Sequence, residues 1–168
     1  PRRDAELGRS LDRLRSAGAI LVPDLLIEPY EGFSQDSYDV LLWEFRRDLN
    51  AYFAALPNSL SNMTLEKLIA FNRKHAEREL AYFDQSIFLK ALAIGDSAEE
   101  YRRKRAATRT AMREDGLDRL FEEHDIDALI DITMGPAWKI DRVNGDAFFG
   151  PGMARQAAIA GNPHITLP

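Results

Sequence analysis

Apolar positions recur along this chain at helical spacing in some stretches and as short unbroken runs in others. Leu7, Leu11 and Leu14 stand four and three apart, which puts one stripe on a helix over residues 3–16, with Gly18 as its stop. Ala19 to Val22 is then a continuous apolar run closed by Pro23, the pattern of a buried strand. Between residues 36 and 56, Leu41, Phe45, Leu49, Tyr52 and Leu56 share one predicted helical face, and Pro57 ends it. Thr64 is the expected N-cap of the next helix, with Glu66 near its positive end. The stripe of that helix runs through Leu65, Leu68, Ile69, Asn72, Ala76, Leu80 and Phe83.

A short helix is predicted over residues 86–92. Ser97 and Glu100 form a capping box for a long polar helix reaching about residue 114. Gly116 interrupts it, and Leu117, Leu120 and Phe121 carry an apolar face on to His124. Ala128 to Ile132 is a second strand candidate. Residues 134–152, rich in glycine, proline and aromatics, read as an ordered loop. Residues 154–160 read as a helix stopped by Gly161, and Ile165 to Leu167 opens a third strand. Helix, glycine, strand thus occurs near both ends, with mostly helix between. Three short strands so far apart make a poor sheet by themselves. The expected class is α/β, with residues 1–168 one incomplete segment of a larger domain.

Composition narrows the partners. The chain has 168 residues, is 45% hydrophobic and 29% charged, and carries a net charge of −5, which disfavours nucleic acid or an anionic membrane. No cysteine is present, so disulfides and thiolate chemistry are excluded. No apolar run approaches the roughly 20 residues of a membrane span, and no signal peptide is visible. The expected location is the cytoplasm, with an exported protein left open.

Self-contained catalytic patterns are missing. The sequence holds no GxSxG, SxxK, HExxH or phosphate-binding glycine loop. Ser86 and Lys90, four apart, read as an exposed helical pair rather than as a nucleophile and base. His75 with Glu79 lacks a third ligand for a metal, His124 suits a helix C-terminus, and His164 falls in the last strand segment. The basic run Arg102 to Arg113 is bracketed by Glu99, Glu100, Glu114 and Asp115 and reads as a solvated helix. Neither a metal nor a cofactor is expected. Asn72 interrupts a core stripe and Gln85 follows an aromatic pair, and both read as structural ties to backbone in irregular segments. Asp131, at the end of a strand candidate, and the loop carrying Trp138, Asp141, Asn144 and Asp146 are the site-like pieces.

Six segments together resemble the amidase signature family, specifically its C-terminal portion. They are LRSAGAILV, VLLWEFRRDLNAYFAAL, TLEKLIAFNRKHAERELAYFDQ, HDIDALI, GPAWKIDRVNGD and AAIAGNPHITLP, in the family's order and covering nearly the whole chain. GPAWKIDRVNGD looks most like the peptide-amidase-like branch. The chain departs from the family pattern at Ile132, where a proline commonly precedes the threonine, and at Asn162, where an aromatic residue is common.

The resemblance implies an α/β/α sandwich around a mixed sheet, predominantly helical within this segment. It implies hydrolysis of carboxamides by a serine nucleophile, a bridging serine and a lysine base, with backbone N–H groups holding the oxyanion. Those residues belong to a glycine- and serine-rich region that no part of this sequence matches, so no catalytic residue is assigned. What carries over is scaffold and part of a substrate pocket wall, with Trp138, Asp131 and Asp141 as the candidate substrate-binding residues. The expected partners are the N-terminal half of the same polypeptide and a small amide or peptide amide. The segment alone is expected to be inactive, with exposed apolar surface and a tendency to self-associate. The alternative is a stand-alone, non-catalytic binding or interaction domain built on the same scaffold.

Overall fold

Residues 2–57, 60–95, 97–135, 137–147 and 152–167 are described by the computed structural model, with side chains from residue 5 onward. The chain divides into two compact units, Glu31–Thr108 and Pro1–Tyr30 with Arg109–Pro168.

In the first unit, α2 (Phe33–Ala55), α3 (Leu65–Lys74), α4 (Ala76–Glu79) and α5 (Ser86–Ala93) follow one another, and α6 (Ala98–Met112) begins here. Leu42, Leu65, Ile69 and Ala91 form the buried centre, ringed by Tyr38, Phe45, Leu49, Phe88, Leu92 and Ile94. Phe45 and Phe88 stack with centroids 5.6 Å apart. The stripe predicted for α2 is partly displaced. Leu41 and Tyr52 are exposed while Leu42 is buried. The run Val40-Leu41-Leu42-Trp43 offers apolar side chains to more than one face, so packing against α3 and α5 chooses between them.

Helix ends in this unit are finished by side chains. The Thr64 hydroxyl accepts from Lys67 N at 3.3 Å, as its N-cap role requires. Asn50 Oδ1, on α2, accepts from Leu65 N at 2.9 Å. Arg46, one turn earlier, donates to the carbonyls of Leu92 (3.2 Å) and Gly95 (2.9 Å), placing a cation at the negative end of α5. Gln85 is buried and donates to the Ile69 carbonyl at 3.3 Å, while Asn72 donates to Gln85 Oε1 at 3.2 Å. Both amides are structural ties, although Asn72 reaches a side chain rather than backbone.

The second unit contains α1 (Arg2–Ser16), a π-helical segment (Arg113–Asp118), α7 (Arg119–His124) and α8 (Ala154–Ala160). Gly18, at φ 95°, closes α1 while Ala19 N returns to the Leu14 carbonyl at 3.0 Å. Gly161, at φ 80°, closes α8 in the same left-handed conformation. Gly116 does more than interrupt a helix. A Cβ there would lie 2.8 Å from the Ala111 carbonyl oxygen and 3.2 Å from Ile27 Cγ2, so only glycine lets the π-helical turn close against Ile27. Leu117 and Leu120 bury their side chains, as do Ala157 and Ala160 on α8.

The strand expectations are corrected. Residues 19–22, 128–132 and 165–167 carry no regular secondary structure, and no strand forms among the described residues. A strand satisfies its N–H and C=O groups only through a neighbour, and these segments find none here. Ile20 is 93% exposed and Ile165 79%. A mixed sheet is therefore not seen among the described residues.

Candidate functional site

The loop from Ala137 to Ala147 is ordered by its own polar side chains. Asp141 Oδ1 accepts from Val143 N and Asn144 N, both at 2.9 Å, and Oδ2 accepts from Asn144 Nδ2 at 2.8 Å. An aspartate that folds the following turn onto itself in this way is an Asx turn. Gly145, at φ 76°, continues it and donates to the Asp141 carbonyl at 3.1 Å. The Asn144 side-chain bond and the two backbone N–H groups favour the charged carboxylate and hold Asp141 below the ordinary aspartate range. Trp138 Nε1 donates to Asp146 Oδ1 at 3.0 Å, which pins the indole by its polar edge. Ile140 and Val143 stand in solvent at 75% and 91% exposure.

Asp131 is organised differently. Its Oδ1 accepts from Ile132 N at 2.7 Å, and the residue is exposed. The structure therefore brings Trp138 to Asp146 and Asp141 to Asn144, while Asp131 braces its own backbone.

A tighter junction lies just beyond Asp131, and sequence reading missed it. Met153 N donates to the Ile132 carbonyl at 3.2 Å. A Cβ on Gly152 would lie 1.9 Å from the Thr133 carbonyl oxygen and 2.3 Å from that of Ile132, so the two strands of chain touch backbone to backbone. Thr133 and Thr166 face each other hydroxyl to hydroxyl at 3.1 Å. The only sequence signal was the Pro151-Gly152 pair, which marks a turn but not what it packs on. Among the described residues no cluster of histidine, aspartate or glutamate could hold a metal ion. No helix among the described residues is long and apolar enough to cross a membrane. The histidines are not brought together: His75 tilts onto Phe71 with centroids 4.5 Å apart, and His124 and His164 are exposed. An open depression of 390 Å³ lies on α3, lined by Met63, Ala70 and Phe71 with Asn62, Lys67 and Lys74, and holds none of the candidate site residues.

Taken with its helix order, the chain is similar to an amidase fold. Two solved structures carry the likeness. One, PAM12A, is 35% identical with a TM-score of 0.81, and the match covers 92% of this chain and 31% of that one. The other is the peptide amidase PAM in complex with the competitive inhibitor chymostatin, 34% identical with a TM-score of 0.79 over the same shares. The chain thus spans about a third of the length of the proteins it matches. No protein-family description and no curated protein sequence matches it.

Proposed function

We propose that this chain is the C-terminal part of an amidase-type hydrolase acting on carboxamide C–N bonds, with a peptide amide as substrate. The single observation that carries the reading is the likeness to a peptide amidase over 92% of the chain at 34% identity. Serine nucleophile, bridging serine and lysine base are supplied by polypeptide outside these residues. This part contributes scaffold and one wall of the substrate pocket. Trp138 presents its ring there, held by Asp146, while Asp141 keeps the loop in shape and Asp131 sets the approach to it.

The exposed apolar runs support the same reading. Ile20, Ile130, Ile165 and Leu167 are exposed and lie in segments with strand-like sequence and no strand neighbours among the described residues. In the longer polypeptide these segments become the later strands of a mixed sheet whose remaining strands come from the rest of the polypeptide. The test compares two proteins on a C-terminally amidated peptide. The 168-residue chain is expected to release no ammonia. A longer polypeptide that includes a preceding glycine- and serine-rich region is expected to do so, with a raised KM after Trp138→Ala. Turnover by the 168-residue chain after stringent repurification would overturn the assignment of the catalytic groups. A folded longer polypeptide without amide hydrolysis would overturn the hydrolase reading.

A further inference from the structure

The first part of α6, residues 98–107, has an unusual means of attachment. None of its side chains is buried, and none belongs to the apolar centre formed by α2, α3 and α5. It is held instead by charge and ring contacts to α2. Lys104 lies between Asp39, its closest partner, and Asp36 at 3.4 Å, with Glu100 of its own helix at 3.6 Å. Tyr101 stacks on Trp43 with centroids 4.0 Å apart and planes 12° from parallel. Its hydroxyl donates to Glu44 Oε1 at 2.6 Å, and Arg105 approaches the same carboxylate at 3.7 Å. Arg47 lies over both rings, 5.2 Å from Trp43 and 5.9 Å from Tyr101.

These contacts oppose one another as well as helping. The hydrogen bond to Asp39 holds the Lys104 ammonium above the ordinary lysine range, against its partial burial. Trp43 Nε1 is buried with no acceptor, an unfavourable group next to the stack. Charge attraction and one ring stack therefore hold the segment, with an unsatisfied N–H beside them and no share in the buried apolar centre.

We infer that the N-terminal part of α6 is a charge-held strap, docked on α2 through Lys104 and the Trp43–Tyr101 stack, that detaches while the α2–α3–α5 centre stays folded. Once undocked, these roughly three turns lose the contacts that hold them and fray from the N-terminal end of α6. Their amides then exchange with solvent.

Hydrogen exchange measured on the chain tests this. Raising salt from about 0.05 to about 1 M shortens the screening length to roughly 3 Å. Amides of residues 101–107 are expected to exchange roughly tenfold faster, as for loss of a small ion-pair network, while those of residues 66–72 and 88–93 stay unchanged. Lys104→Met should give the fast rate already at low salt and remove most of the salt response. Lys104→Arg should restore slow, salt-sensitive exchange. Tyr101→Ala provides an independent break and should free Trp43, shifting its emission to the red. Exchange in α6 that tracks α3 and α5 at every salt concentration would overturn the inference. So would a Lys104→Met protein in which all three helices are loosened together.

Discussion

Both units of this chain bury some apolar side chains and expose others, but they differ in the kind of segment that carries the exposed ones. In Glu31–Thr108 the helices turn Leu42, Leu65, Ile69 and Ala91 toward one another and away from water. In Pro1–Tyr30 with Arg109–Pro168, the helices bury Leu117, Leu120, Ala157 and Ala160, but Ile20, Ile130, Ile140, Val143, Ile165 and Leu167 stand in solvent. The difference lies in what each element needs. A helix satisfies its backbone internally and asks only for cover on one face, which a few neighbouring helices can give. A strand needs a neighbour for its backbone before its side chains can be covered at all. One unit packs helix on helix, and the other carries apolar segments with no strand neighbour among the described residues.

Substitutions can break that contrast in order of severity. Leu65→Ala empties a fully buried position and should cost about 3–4 kcal/mol, read as a lowered urea midpoint. An unchanged midpoint would mean that the helical unit lacks the packed centre described. Gly152→Ala should cost about 2–3 kcal/mol, because a Cβ 1.9 Å from the Thr133 carbonyl oxygen forces backbone apart. Its signature should be faster exchange of the Met153 amide, which donates to the Ile132 carbonyl, with the α2–α3–α5 helices intact. A neutral alanine there would show that residues 132–133 and 152 do not touch.

Paired substitution of Ile20 and Ile165 by serine should change stability by no more than about 0.5 kcal/mol, since both side chains are already in water. The same change should weaken self-association in light scattering. A clean monomer before substitution would show that the exposed runs are harmless in isolation. The smallest effect is expected at Asp141. Its pKa is depressed below the ordinary value of 3.8, so its stabilising turn is fully present above that range and is lost as pH falls through the lower, folded value. The amide shift of Asn144 should titrate with a midpoint below 3.8, and Asp141→Asn should abolish the step.

How much of this was legible follows the same division. The helices were readable because their information is local: Leu7, Leu11 and Leu14 for α1, Thr64 for the start of α3, Ser97 for α6, and Gly18 and Gly161 for two stops. Which face of α2 turns inward was not local, and Leu42 took the place given to Leu41. The apolar runs were recognised, but a run states only that a residue prefers cover, not that cover exists. The loop at Trp138 was found by its composition. Its internal ties required coordinates, and so did the contact between Gly152 and Thr133. The basic run of α6 was read as solvated, and its cations are largely paired. The reading missed that Lys104 and Arg105 reach carboxylates on α2, far away in sequence.

The two caps supplied by α2 also bear on the order of assembly. Asn50 reaches Leu65 across 15 residues, whereas Arg46 reaches Leu92 across 46. Closing the longer loop costs about 1 kcal/mol more in chain entropy. On this ground the α2–α3 corner is expected to form before α5 docks. In kinetic terms, Asn50→Ala should slow refolding, and loss of the Arg46 guanidinium should chiefly speed unfolding. Equal partitioning of both substitutions between the two rates would place the corner and α5 in a single step.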